Sequence, residues 1–141
     1  MDLLKRYSIS FGIAGVLLYF FTIFVEKQHE RNMPHNLTTK TEEIMSIILP
    51  EKRYFEKCLD LSDSQELQFG FESHAKLSFN LHYHDQGEIN YRFKEGSIDE
   101  LENTFQPEKR GYYCLQWGNS RKEKIEINYH FKILKRTSVN N

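Results

Sequence analysis

From residue 53 onward, apolar and polar residues alternate with a period of two. Leu67, Phe69 and Phe71 form one such run, and Leu77, Phe79, Leu81 and Tyr83 a second. Ile89, Tyr91 and Phe93 form a third, and Ile125, Ile127, Tyr129, Phe131 and Ile133 the longest. Side chains of a strand point alternately to its two faces, so each run predicts a strand with one apolar and one wet face. Such strands belong to antiparallel sheets packed on each other. Turn residues mark the connections between strands at Ser62-Asp63-Ser64, Asp85-Gln86-Gly87, Glu95-Gly96-Ser97 and Gly118-Asn119-Ser120. With further strands at 53–61 and 111–117, the pattern predicts an all-β domain over residues 53–134. About seven strands at roughly 8–12-residue spacing fit an antiparallel β-sandwich or jelly roll.

The pattern upstream is different. Residues 7–25 contain no charged side chain over 19 positions and are apolar all the way round a helix. At about 1.5 Å per residue they span roughly 28 Å, close to the hydrocarbon thickness of a bilayer. A single transmembrane helix is therefore expected to precede the β domain. A cleaved signal peptide would have a shorter core and a small-residue cleavage site, whereas Glu26-Lys27-Gln28-His29-Glu30-Arg31 follows here. Residues 1–6 would form a cytoplasmic N-terminus, 26–52 a polar stalk and 135–141 a C-terminal tail. Within the stalk, Thr41-Glu42-Glu43 leading into Ile44, Met45, Ile47, Ile48 and Leu49 before Pro50 predicts a short helix. Asn36-Leu37-Thr38 matches a glycosylation acceptor, a triplet with meaning only in a eukaryotic secretory setting.

Lys5 and Arg6 before the span are balanced by Lys27 and Arg31 after it, so flanking charge does not orient the helix. The two cysteines, Cys58 and Cys114, bear on the question because both lie beyond the span. They form either a disulfide between two strands or two independent buried thiols. A disulfide would place the domain in an oxidising compartment and the amino terminus in the cytoplasm. The expected location is then a bacterial inner membrane, with the domain facing the periplasm.

The formal net charge is −1 over 141 residues with no basic stripe, which argues against nucleic-acid binding. Nucleophile-elbow, zinc-protease, phosphate-loop and dinucleotide motifs are missing from the sequence, so no catalytic residue is assigned and no enzyme is expected. Asp99, Glu100 and Glu102 read as a solvated turn or short helix.

A cysteine near the first strand, a series of alternating strands and then Gly111-Tyr112-Tyr113-Cys114-Leu115-Gln116-Trp117-Gly118-Asn119-Ser120 resemble the GOLD domain. That domain is the lumenal β-sandwich of the p24 (emp24/gp25L) cargo-receptor family. The resemblance covers about residues 53–134 and implies a disulfide between Cys58 and Cys114. It also implies a module that binds proteins or lipids and does not catalyse. The chain departs from the family in placing its membrane span first, with neither a coiled coil nor a coat-binding tail at the C-terminus. The family's transport role is therefore not implied.

One polar cluster carries candidate chemistry. His82 and His84 are two apart on a strand and share a face, opposite Leu81 and Tyr83 and thus expected to be wet. Two imidazoles at this spacing chelate copper or zinc if His130, His74 or Asp85 completes the set. The plain alternative is a solvated histidine pair. Two function classes follow: a non-enzymatic, membrane-anchored module for an unidentified protein partner, and a periplasmic copper- or zinc-binding protein.

Overall fold

The structure is a computed structural model that describes residues 16, 18–23, 36–85 and 88–136. The chain divides into two compact units, Met1–Met33 and Pro34–Asn141. In the first, residues 16 and 18–23 are helical; the rest of the expected span at 7–25 lies outside the described residues. Among the described residues, no helix is long and apolar enough to cross a membrane.

In the second unit, seven strands follow one another: β1 Leu37–Thr38, β2 Glu42–Leu49, β3 Tyr54–Leu61, β4 Gln65–Asp85, β5 Glu88–Phe105, β6 Gly111–Gly118 and β7 Ile125–Lys135. Apart from the short parallel pairing of β1 with β3, neighbours are antiparallel. The hydrogen-bonded order is β1-β3-β6-β4-β7-β2, and β5 pairs with the other edge of β4. The expected β-sandwich is present as a single curled sheet folded onto itself.

The folding-over is done by β4. Its first half pairs with β7 from Gln65 to Ser73, and its second half with β6 from Ser78 to Tyr83. Between them the register of β4 against β5 shifts at Glu72/Leu77 and again at Leu77/Phe79, as at a β-bulge. The bend brings Phe79 of the second half against Phe69 and Phe71 of the first, with ring centroids 5.8 and 5.3 Å apart. Trp117, Tyr129 and Phe55 complete the aromatic core, Trp117 and Tyr129 lying 5.0 Å apart. The apolar residues of the runs at 67–71, 77–83 and 125–131 face this interior, whereas in the run at 89–93 only Phe93 packs against it and Ile89 and Tyr91 are about half exposed.

Three expectations change. Residues 44–49 form strand β2 and not a helix. Their apolar spacing fits both periods, but β-branched isoleucines favour a strand, and pairing with β7 along all eight residues supplies the ladder. The segment expected as a stalk thus contributes both β1 and β2 to the sheet. Glu95-Gly96-Ser97 does not reverse the chain; it lies within β5, opposite the bend of β4, where an added Cβ at Gly96 would meet nothing. Asp99, Glu100 and Glu102 likewise sit on β5 and not in a turn or helix.

The turn at Gly118-Asn119-Ser120 is real and is pinned by a buried amide. Asn119 Nδ2 donates to the carbonyls of Glu123, Pro50 and Leu49 at 2.8, 3.0 and 3.3 Å, while its Oδ1 accepts from the Arg121 amide at 2.9 Å. Asn119→Ala strips several backbone groups of partners at once and should destabilise the domain by about 2 kcal/mol. Urea denaturation checks this, and a loss below about 0.5 kcal/mol would show that water replaces the amide without cost.

Candidate functional site

On the face of β3, β6 and β4 turned away from the aromatic core, the registers align two rows of side chains. Cys58, Cys114 and His82 form one row, and Glu56, Gln116 and Asn80 the next. Cys58 and Cys114 are directly opposed and joined by a disulfide. His82 is only 2% exposed, so the expectation of a wet face fails here. The disulfide lies beside it, Glu56 reaches over diagonally, and Tyr91 of β5 sets its ring 5.9 Å from the imidazole.

Glu56 Oε1 lies 3.0 Å from His82 Nε2 and 3.9 Å from His84 Nε2, and the two imidazole Nε2 atoms are 3.3 Å apart. The opposite side of the His82 ring is fixed. Asn80 Nδ2 donates to Gln116 Oε1 at 2.9 Å, which turns Asn80 Oδ1 toward His82 Nδ1 at 2.7 Å. Nδ1 therefore carries its hydrogen and donates it to Asn80. His82 Nε2 is left to face a carboxylate and a second imidazole nitrogen. These three atoms are held together either by a shared hydrogen, carried on His84 Nε2 or on a protonated His82, or by a metal ion among them. The hydrogen bond from His82 holds the Glu56 carboxyl below the usual carboxylate range, aided by the charges of His82 and His84 against the opposing effect of burial. Burial depresses the His84 imidazole, reinforced by His82 and partly offset by Glu56.

The other histidines are elsewhere. His130 Nε2 pairs with Glu102 Oε2 at 3.2 Å on the outer side of β7. The two meet across Gly70, which stands opposite both; a Cβ there would collide with the Glu102 carboxylate. His74 Nδ1 accepts from the Glu126 amide at 3.3 Å. Asp85 is bound to Lys109 Nζ at 2.6 Å. Neither His130, His74 nor Asp85 completes the His82–His84 pair, because the bend of β4 carries Gly70 and His74 away from its second half. The residue that joins the pair is Glu56, which sequence reasoning passed over. Its signal was its position two residues before Cys58, on the same strand face as the disulfide.

No protein-family model matches this chain, and no curated protein matches it. Among solved structures, the chain is similar to the pre-peptidase C-terminal domain of collagenase from Bacillus anthracis. That likeness has a TM-score of 0.51 and 14% identity over 73% of this chain and 99% of that domain. PliG from Salmonella Typhimurium, a periplasmic inhibitor of g-type lysozyme, aligns at a TM-score of 0.45 and 11% identity over 69% of this chain and 91% of PliG. The first likeness places the chain among β-sandwich domains; at this identity it speaks to the fold alone.

Proposed function

We propose that this chain is a membrane-tethered, extracytoplasmic β-sandwich module that works without catalysis, by docking an extended strand of a partner protein along β2. The observation that carries the reading is the exposure of Ile44 and Ile48, 82% and 67%, on a strand that ends the hydrogen-bonded order among the described residues. An edge strand offers unpaired N–H and C=O groups, and proteins usually blunt such an edge with charge or proline. Here β2 carries two isoleucines on its outer face, flanked by the shallow groove that Ile44, Glu42 and His130 line. Backbone pairing along the edge would supply affinity, and the isoleucines would select the side chains of the added strand.

The tether is the uncharged segment 7–25. The Cys58–Cys114 disulfide supports an oxidising compartment, hence a cytoplasmic amino terminus and a domain in the periplasm. The same disulfide, with the β-sandwich around it, supports the GOLD-like reading of residues 53–134.

Photo-crosslinking residues placed at 44 and 48 of the full chain in its native membrane should give one discrete adduct, and the same residue at exposed position 122 should give none. Ile44→Lys with Ile48→Lys should abolish capture of that partner while changing stability by no more than about 0.5 kcal/mol, as for ordinary surface sites. Equal adducts at all three positions would overturn the docking edge. A C-terminal reporter that is active only in the cytoplasm should stay dark; a bright one would overturn the topology.

A further inference from the structure

We infer that Glu56, His82 and His84 form a binding site for one divalent late transition-metal ion, copper(II) in preference to zinc(II). The argument is geometric. A triangle with sides of 3.0, 3.3 and 3.9 Å has a point about 2.0 Å from every corner, the length of a metal–imidazole or metal–carboxylate bond. An ion at that point touches both Nε2 atoms and Glu56 Oε1 without moving any strand. It takes the place of the hydrogen that these three atoms otherwise share.

The surroundings fit the same reading. Asn80 fixes His82 in the tautomer whose Nε2 lone pair is free, and Gln116 fixes Asn80 in turn. A hydrogen-bonded partner on the far ring nitrogen is the usual support of a ligating histidine. His82 and Glu56 sit on adjacent ladder rows of a continuous sheet, so the ligands are held by backbone pairing and not by loops. Cys114 Sγ lies within the same 4.8 Å grouping, but it is bonded to Cys58 and offers no thiolate. The donor set is therefore two nitrogens and one oxygen, which suits copper(II) or zinc(II) and not a thiolate-seeking ion.

Preference between the two ions follows from the angles. Around the common point the short sides subtend about 97° and 111° and the long side about 153°, nearer to a T-shaped, tetragonal arrangement than to a tetrahedron. Affinity order along the first row points the same way. Three protein ligands leave a further position open to water or to a donor from another molecule. The ligands Glu56, His82 and His84 lie on β3 and β4 and include no residue of β2, and the tests read different residues, so either proposal can fail without the other.

The test uses the full chain in detergent with its disulfide intact, titrated with Cu²⁺ and with Zn²⁺. One Cu²⁺ per chain should bind, more tightly than Zn²⁺, and electron paramagnetic resonance should show coupling to two imidazole nitrogens. His84→Ala, whose residue is partly exposed, should remove one nitrogen from the spectrum. Asn80→Leu touches no metal and should weaken binding by about 10–100-fold through the freed His82 ring. His74→Ala, at a residue outside both proposed sites, should leave the Cu²⁺ titration and spectrum unchanged. Circular dichroism on each variant separates a lost site from a lost fold. Two-nitrogen coupling that survives Glu56→Gln with His84→Ala, or Cu²⁺ affinity equal to that double variant, would overturn the site. Zn²⁺ binding tighter than Cu²⁺ would overturn the preference.

Discussion

Replacing Cys58 and Cys114 together by alanine should lower the stability of the domain by about 4 kcal/mol, the loop-closure contribution expected for this separation. The two residues are 56 apart in sequence, so the bond removes a long loop's worth of freedom from the unfolded chain. In the folded state they are already opposed on neighbouring strands, held by the β3–β6 ladder from Tyr54 to Leu61. The native fold should therefore persist in the variant, with a lower denaturation midpoint. Trp117, the single tryptophan and wholly interior, reports the transition by fluorescence. Reduction of the wild-type chain should reproduce the shift. A loss below about 1 kcal/mol would mean that the reduced, unfolded chain keeps the two strands together. The bond also lies in the row that ends at His82, so its removal should loosen the Glu56–His82 contact.

Much of this fold could be read from the sequence because burial follows alternation. The run from Ile125 to Phe131 points inward at every second residue, as its period-two pattern says. What stayed hidden is what alternation cannot encode. A chain bend within β4 leaves no mark beyond small and polar residues near 73–75, and Gly96 marks the matching point of β5 by a residue normally read as a turn. The candidate site was half legible. His82 and His84 announced themselves by type and spacing, but whether a face is wet depends on which strands flank it. Glu56 comes from a strand two places away in the sheet, a non-local pairing that no local pattern contains. Residue 43 shows the same limit from the other side, since an acidic side chain at an inward position looks like a helix's first turn.

Glu43→Gln should destabilise the domain by roughly 3–5 kcal/mol, as expected when one partner of a buried ion pair is removed. Glu43 is 5% exposed on the inner face of β2. It receives Lys57 Nζ at 2.8 and 3.0 Å on its two oxygens and Lys40 Nζ at 3.1 Å, and the Tyr129 hydroxyl donates to it. Lys57 comes from β3, Tyr129 from β7 and Glu43 from β2, so the cluster ties together the two ends of the folded sheet. Burial alone would raise the carboxyl, but the hydrogen bonds from Lys57, Tyr129 and Lys40 prevail and bring it from 4.5 to about 2. Burial, with Glu43 beside it, pushes the Tyr129 hydroxyl upward, so that group stays a donor.

The consequence for pH follows by sign. A carboxyl depressed in the folded state stabilises fully above its unfolded value and loses that stabilisation as pH falls through the folded one. Wild-type stability should thus drop by about 3 kcal/mol between roughly pH 4.5 and pH 2 on account of Glu43, and Glu43→Gln should lack this part of the acid limb. Parallel acid limbs in the two proteins would assign the loss to other carboxyls. Lys57→Met alone should also be destabilising, because it leaves the buried carboxylate with only the Tyr129 hydroxyl and the exposed Lys40. Glu43→Leu, Lys57→Met and Tyr129→Phe together remove the carboxyl and its two interior partners at once, leaving only the exposed Lys40, and should recover most of the loss, since well-packed apolar replacements of buried ion pairs are often neutral or better. The cluster then serves to fix where β2 docks and not to add stability. Faster amide exchange along β2 and the facing part of β7 in the triple variant, at near-normal global stability, is the measurement that separates these two roles.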